Sequence, residues 1–346
     1  MKRKRDSGSR CTDWQSLHDE SIVWLLHDHF FHRLDANLAM REGGVTAKVV
    51  LPIGDLAIYN DSDGEGDLAF YERTLAQTDG WAVESLVRHE RARRLFESRP
   101  DRFILAEKAQ DALRAKREGK SAIFFGMEGS KALEGRIEML GVFYRLGVRQ
   151  MQLIWATPNQ LVSVENGAWR LSPFGKEVLA GMNELGIVAD LAHVPQGFFE
   201  DVARHSKAPF IVSHNVPDDL SPWHLDALKA CKGIVGLHFC RHCINGPDAT
   251  LDDFLDTVDR LVDAGYEDVV AIGGDLFEVD SYFYARHPAP AGAVGKKWSA
   301  FIDELSDIRL VPNITRGLCE RGYSDGLIKK ILGGNALRLY QTVLGG

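Results

Sequence analysis

The sequence lacks any apolar run near the roughly 20 residues that a membrane-spanning helix needs. Its basic start, Lys2 to Arg5, is followed by polar residues and not by the apolar core of a signal peptide. We therefore expect a cytoplasmic protein with no membrane partner. Positive charge is also scarce, since the net charge is -8 at pH 7. This argues against a nucleic-acid partner, because phosphates are bound by clustered Lys and Arg.

Cysteine is infrequent, with five residues that are odd in number and scattered along the chain. This pattern fits thiols in a reducing compartment better than a disulfide framework. Hydrophobic residues make up 45% of the 346 residues, which is enough for a large core. We predict a flexible N-terminal tail over residues 1–20 and a single domain over residues 21–346.

From Ser21 onward, short apolar or β-branched runs alternate with longer segments of helical periodicity. This alternation is typical of parallel strands joined by helical crossovers. Eight such strands are the number in a (β/α)8 TIM barrel, and this is the fold that we predict. The predicted strands are Ile22–Leu26, Ala47–Leu51, Ala122–Phe125, Met151–Ile154, Ile187–Leu191, Phe210–Ser213, Ile234–Phe239 and Val269–Ile272.

Three segments lie outside this repeating pattern. Residues 59–116, which include an acidic loop at 61–67, read as an insertion between strands 2 and 3. Residues 284–297 are rich in Pro, Gly and Ala, and either a mobile lid or a plain surface connection fits them. Residues 313–344 read as two helices outside the barrel. Outer helices of this kind are available for contact with a second copy, so a homodimer is possible.

Polar residues lie at the C-terminal ends of six of the predicted strands, where barrels of this kind build their active sites. A single histidine there is more often a satisfied core residue than a ligand. Imidazoles and carboxylates that converge on one mouth instead indicate a metal centre. The candidate ligands are His27, His29, Glu128, His193 and His214, and His238 and Asp275 close the last two strands.

His27 and His29 are two apart, so a strand would place both on one face and Asp28 on the other. We therefore interpret Asp28 as a structural or supporting residue. Cys240 and Cys243 have the spacing of a metal-binding pair, but the sequence has no second pair to complete a structural site. We read them as packing thiols beside a pocket-lining His238.

The sequence resembles the membrane (renal) dipeptidase family of the amidohydrolase superfamily over most of its length. The segments that carry the resemblance are GMEGSKALEG, FYRLGVRQMQL, LSPFGKEVLAGMNELGIVADLAH, IVSHNVPDD, AIGGD and TRGLCERGYSDGLIKKILGGNALRLY. The resemblance implies two divalent cations bridged by Glu128. His193 and His214 would hold one cation and His27 with His29 the other, while Asp275 would be the catalytic residue that moves protons.

The sequence departs from the family pattern at three places. The family's first strand ends His-x-Asp, whereas His29 stands at the Asp position here. Trp155 stands where family members have a histidine that meets the scissile carbonyl. The family's loop between the sixth-strand histidine and Asn-Val-Pro-Asp, with its carboxylate-binding arginine, is missing. We therefore expect Trp155 and His238 to contact substrate; Arg241 is either a substitute for that arginine or a surface residue.

Three functions remain open at this point. The first is a zinc-dependent hydrolase acting on an amide or related acyl bond in a bulky, apolar small molecule other than a dipeptide. The second is a non-heme diiron monooxygenase acting on a hydrophobic or acyl-linked metabolite, because His29 gives each metal two imidazoles and one carboxylate. The third is a binding protein that has lost catalysis.

Overall fold

Eight parallel strands form a closed barrel in the computed structural model, which describes residues 11–55, 80–155, 157–277 and 300–345. This confirms the predicted (β/α)8 architecture. The described residues contain eleven strands, of which eight form the barrel. They are β1 (Trp24–Asp28), β2 (Ala47–Gly54), β3 (Phe103–Leu105), β4 (Ser121–Glu128), β5 (Val148–Gln152), β6 (Val162–Glu165), β7 (Ala168–Leu171), β8 (Val188–Asp190), β9 (Phe210–Val212), β10 (Ile234–His238) and β11 (Val270–Leu276).

The barrel closes because β2 pairs with both β1 and β4. From β4 the order continues through β5, β8, β9, β10 and β11 and returns to β1. Three strands lie outside this cylinder and were not predicted. Strand β3 pairs with the N-terminal half of β4, and β6 and β7 form an antiparallel hairpin.

The fourth barrel strand begins earlier than predicted, at Val148 instead of Met151. Its polar side chains hide the strand in the sequence, yet each is buried and has partners. Arg149 donates to Glu107 and Gln150 donates to Asp190. A buried strand can therefore contain polar residues when the neighbouring elements satisfy their hydrogen bonds.

Helices surround the barrel and connect its strands. The C-terminal helices lie outside the cylinder of strands, as predicted, and the second of them is interrupted by a π-helical turn at Lys330–Gly334. The α-helices are Trp14–Glu20, Leu34–Leu38, Trp81–Glu97, Ala109–Glu118, Glu138–Arg145, Pro173–Leu185, Gln196–His205, Pro222–Cys231, Arg241–Ile244, Leu251–Asp263, Pro312–Glu320, Asp325–Lys329 and Asn335–Leu344.

The last helix closes one end of the barrel with an aromatic cluster. The Tyr340 ring lies 4.5 Å from Trp24, which in turn stacks on Phe124 at 4.8 Å. Tyr340 also donates a hydrogen bond to Gln150, whose amide donates to the carbonyl of Leu26 across the barrel. Because Trp24 begins β1, this end is the N-terminal one, and the opposite mouth is left for the site.

Part of the segment that was predicted to be a flexible tail is folded. Helix Trp14–Glu20 lies within residues 1–20, and its His18 is buried against Thr315 and Gly43. Residues 1–10, the acidic loop at 61–67 and the segment 284–297 lie outside the described residues. Within the described ranges, no helix has both the length and the apolar character needed to cross a membrane.

Cys11 and Cys319 form a disulfide, so the expectation that all five cysteines are thiols is wrong. The two residues are 308 positions apart, and the contact between helices Trp14–Glu20 and Pro312–Glu320 brings them together. Disulfides persist mainly in oxidising surroundings. The cysteine count therefore no longer supports a reducing compartment.

Lys48 and Asp28 form an ion pair that is completely buried in the barrel wall, with Nζ 2.7 Å from Oδ1. Asp28 Oδ1 also accepts a hydrogen bond from the Phe30 amide, which fixes the chain just beyond the first strand. Asp28 thus has a structural contact between the two histidines that flank it.

We predict that Lys48→Met lowers the free energy of unfolding by about 3–5 kcal/mol, because it leaves a buried carboxylate without its cation. Urea denaturation monitored by circular dichroism measures this change. The matched control is Lys329→Met, which removes the exposed pair with Glu20 and should change stability by about 1 kcal/mol or less. Equal effects of the two substitutions would contradict the structural role of the buried pair.

Candidate metal centre

The C-terminal mouth of the barrel brings together the five residues predicted as metal ligands. Glu128 ends β4 and lies between two pairs of histidines. Its Oε1 is 3.6 Å from His27 Nε2 and 3.9 Å from His193 Nε2, and its Oε2 is 3.7 Å from His29 Nε2. One carboxylate therefore faces both pairs.

The four imidazoles form two pairs whose ring nitrogens face each other. His27 Nε2 is 3.2 Å from His29 Nε2, and His193 Nε2 is 2.7 Å from His214 Nε2. With Glu128, each pair makes a group whose ligand atoms lie within 4.8 Å of one another. Two nitrogens and one carboxylate oxygen in each group are a donor set suited to a divalent transition-metal ion.

Burial sets the protonation of the histidine pair formed by His193 and His214. Burial lowers the pKa of His193 and lowers that of His214 well below its usual value. Both imidazoles are therefore neutral near pH 7 and keep a lone pair for a cation. The residues present thus fit a metal at this position.

His29 behaves differently because it lies between two carboxylates. Burial opposes a positive charge on this ring, but Glu128 and Asp275 outweigh it and raise the pKa of His29 to about 9. The pKa of Glu128 is lowered despite its burial, because His29 and His27 stabilise the carboxylate. This negative surrounding favours a positive charge at the centre, either a proton or a cation.

Asp275 lies beside the same cluster at the end of β11. Its Oδ1 is 3.1 Å from His29 Nε2, and its Oδ2 is 2.9 Å from His238 Nε2. Burial alone would raise the pKa of Asp275, but His214, His238 and His27 hold it well below the usual range. The side chain is therefore an ionised carboxylate near pH 7.

The backbone is held in an unusual conformation at two of these residues. His193 and Asp275 both have positive φ angles, 66° and 56°, in the left-handed region that side chains other than glycine rarely adopt. Such a conformation costs about 1–3 kcal/mol per residue and tends to occur at functional sites. The surrounding contacts stabilise both residues in the orientation that points them at the cluster.

His238, which was predicted to contact substrate, forms a hydrogen bond with Asp275. Its Nδ1 accepts a hydrogen bond from the Cys240 amide, so the proton of the neutral ring is on Nε2. That Nε2–H donates to Asp275 Oδ2. His238 therefore orients the carboxylate.

The other two predicted substrate contacts have different surroundings. Trp155 is half-buried, and its ring lies 6.4 Å from that of His193, at the rim of the site. Arg241 is buried, so the alternative of a surface arginine is wrong. Its guanidinium lies 2.7 Å from Asp303 and donates to the Ala249 carbonyl, which holds it as a structural residue.

Ser213 is a site residue that the sequence reasoning missed. Its hydroxyl lies 3.2 Å from His27 Nδ1 and 2.9 Å from His214 Nδ1, so it contacts one histidine of each pair. If both Nε2 atoms held a cation, both Nδ1–H groups would donate to this oxygen. Its position directly before His214 was the only signal in the sequence.

Asp55 is a second residue that the sequence reasoning missed. It follows β2, its amide donates to the Glu128 carbonyl, and its Oδ1 accepts from the Lys131 amide. Burial raises the pKa of Asp55 to about 7. Gly129 is required beside it, because a Cβ there would lie 2.2 Å from the Asp55 carboxyl carbon.

A cavity of about 890 Å³ opens beside His193. Apolar side chains from the β6–β7 hairpin and the following loops form much of its wall, including Trp169, Val194 and Pro195. Asp219 is a buried carboxylate in the same wall. Neither Lys nor Arg occurs among the described residues that line the cavity.

Several known proteins resemble this chain in sequence and in fold. The sequence model of the membrane dipeptidase family (peptidase family M19) matches residues 57–282. The dipeptidase tcpJ of Claviceps purpurea is 30% identical over 270 residues, which are 72% of this chain and 57% of that protein. The chain thus spans little more than half the length of tcpJ.

Two further proteins extend the comparison. The dipeptidase verJ of Clonostachys rogersoniana is 28% identical over 319 residues, covering 88% of this chain and 73% of that protein. The crystal structure of an amidohydrolase from Pseudomonas aeruginosa superposes with a TM-score of 0.78 and 25% identity. It covers 97% of this chain and 100% of the solved chain.

We predict that Ser213→Ala weakens the binding of both cations together, by about 10- to 100-fold, because both rings lose the same orienting oxygen. Zinc titration of the metal-free protein by isothermal calorimetry measures this change. The control is Ser121→Ala, which likewise removes a buried serine hydroxyl. The Ser121 hydroxyl lies at the far end of β4 and donates to the Val45 carbonyl. A loss at one site only, or equal losses in the two variants, would contradict the shared role.

Proposed function

Because this chain belongs to the membrane dipeptidase family, peptidase family M19, we propose that it is a hydrolase that uses two divalent cations to cleave an amide or related acyl bond. Family membership and the two ligand groups support a metal-dependent hydrolase. The observation that carries the two-cation proposal is the position of Glu128, whose Oε1 lies near both histidine pairs and whose Oε2 faces His29.

Each side chain of the site has a defined part in this proposal. His27 and His29 would hold one cation, His193 and His214 the other, and Glu128 would contact both. Bound cations of this kind lower the pKa of water and polarise a carbonyl oxygen. Asp275 would accept the proton of the attacking water and donate it to the leaving group. His238 would keep Asp275 turned toward the cluster through its 2.9 Å hydrogen bond.

The cavity supports a substrate without a free carboxylate. Its described wall offers apolar surface from Trp169, Val194 and Pro195 and the buried carboxylate of Asp219. The described lining contains neither Lys nor Arg that would pair with a carboxylate of the substrate. We therefore propose a bulky, apolar small molecule and not a free dipeptide. Trp155 at the rim would contact it.

A second candidate function is oxidation by a non-heme diiron centre. One observation favours it: His29 gives the first group the same two imidazoles and one carboxylate as the second group. This ligand set is associated with iron(II) that keeps positions open for oxygen. The substrate would then be a hydrophobic or acyl-linked metabolite.

The bound metal separates these functions. We propose that protein purified without oxygen contains zinc and hydrolyses amides without consuming oxygen. Iron together with oxygen uptake would support the monooxygenase instead. A protein that retains neither metal under these conditions would support a binding protein that has lost catalysis.

We predict that Glu128→Ala removes both cations, because each group loses its only carboxylate. Metal content per chain, measured by plasma mass spectrometry after gel filtration, should fall from about two to near zero. The control is Glu177→Ala, an exposed glutamate on helix Pro173–Leu185, which should retain the wild-type content. Retention of both ions in Glu128→Ala would exclude the bridging role.

We predict that a dipeptide with an amidated C-terminus is hydrolysed at least as well as the free acid. Loss of a charge-assisted contact to the carboxylate removes the usual preference of about 10- to 100-fold for the acid. The measurement is kcat/KM for the two forms of one apolar dipeptide. A preference of about 10- to 100-fold for the free acid would contradict this prediction. It would show that a cationic side chain outside the described wall binds the carboxylate.

A further inference from the structure

Cys240 and Cys243 form a close pair of thiols directly beyond β10. Cys240 precedes the short helix Arg241–Ile244, and the Cys243 amide donates to the Cys240 carbonyl at 3.2 Å. The two thiols are hydrogen-bonded to each other. A separation of three residues in one helical turn places the two Cα atoms within the range that a disulfide spans.

The two thiols differ in the way that dithiol pairs of exchange reactions do. The hydrogen bond from Cys243 lowers the pKa of Cys240 to about 6, against the effect of its burial. The same hydrogen bond and burial raise the pKa of Cys243 well above its usual value. Thiolates are the reactive form in disulfide exchange. Cys240 therefore supplies the attacking thiolate, and the half-buried Cys243 beside it is the second thiol.

The backbone of this pair holds His238 by two routes. The Cys240 amide donates to His238 Nδ1 at 2.9 Å. The Cys243 carbonyl accepts from Asn215 Nδ2 at 3.0 Å, and Asn215 Oδ1 accepts from the His238 amide at 2.9 Å. Because His238 donates to Asp275, a movement of either cysteine reaches the carboxylate of the site.

Two other features of the chain bear on this pair. The Cys11–Cys319 disulfide is compatible with surroundings in which disulfides persist. Cys231, the remaining free cysteine, is half-buried on helix Pro222–Cys231 and donates to the Leu228 carbonyl. It provides an internal reference for the reactivity of a single thiol.

We propose that Cys240 and Cys243 are a redox pair that forms a reversible disulfide by exchange with a small disulfide such as oxidised glutathione. We further propose that this bond alters the hydrogen bond from the Cys240 amide to His238 Nδ1.

The exchange proceeds in two balanced steps. The Cys240 thiolate attacks the small disulfide to form a mixed disulfide at Cys240 and release one thiolate. Cys243 then loses its proton to solvent and attacks the Cys240 sulfur, which releases the second thiolate. The protein loses two electrons and two protons, and the small disulfide is reduced to two thiols.

The first experiment measures the bond itself and does not depend on the proposed function. Full-length protein is equilibrated with mixtures of reduced and oxidised glutathione, quenched in acid, alkylated and analysed by peptide mass spectrometry. We expect the alkylated forms of Cys240 and Cys243 to disappear together as a peptide containing the Cys240–Cys243 disulfide appears. Reduction with dithiothreitol should restore the alkylation of both residues. Cys231 should remain alkylated where the pair is fully linked. Glutathione attached to Cys231 while the pair stays unlinked would overturn the proposal.

The second experiment tests the consequence for the site, and this part rests on the proposed function. Turnover is compared after oxidising and after reducing treatment of the wild type, Cys231→Ser and Cys243→Ser, of which the last cannot form the bond. We expect a change of about three- to tenfold, the scale of one hydrogen bond, in the first two proteins and none in Cys243→Ser. Equal turnover of linked and reduced wild type would overturn the link to His238. Lack of turnover in both forms would count against the hydrolase and leave the disulfide result unaffected.

Discussion

The contact of one carboxylate with two histidine pairs is the interaction on which the rest of the site depends. Glu128 is almost completely buried and lies within 4 Å of histidines from three different strands or loops. A buried carboxylate in this position requires positive charge nearby, because burial of an uncompensated anion is strongly unfavourable. The histidines supply part of that charge as protons, and bound cations would supply it more fully.

The structure around this cluster restricts how its histidines can move. The Lys48–Asp28 pair fixes the backbone between His27 and His29, and Ser213 fixes one ring of each pair. Asp190 accepts hydrogen bonds from the Ser213 amide and from Gln150, which Tyr340 of the last helix contacts in turn. The C-terminal helix therefore supports the site through the interior of the barrel.

The sequence could predict the barrel because its strands are mostly apolar and are separated by helical periodicity. It placed β5 three residues late, since Arg149 and Gln150 are polar side chains whose buried partners come from distant parts of the chain. The disulfide could not be predicted for the same reason. Cys11 and Cys319 are brought together by the packing of two terminal helices, and no local sequence pattern indicates that they pair.

The site residues likewise include some whose position could be predicted from the sequence and contacts that could not. The strand-end positions of Glu128, His193 and His214 could be predicted, because a parallel barrel gathers the ends of its strands at one mouth. The partner of each side chain could not. His238 binds Asp275 and Arg241 binds Asp303, and only the folded loops determine these contacts.

X-ray diffraction from crystals of the natively loaded protein, recorded at the absorption edge of the bound metal, tests the central claim most directly. The account predicts two anomalous peaks, one between His27 and His29 and one between His193 and His214, each near an oxygen of Glu128. A single peak, or peaks away from Glu128, would contradict it.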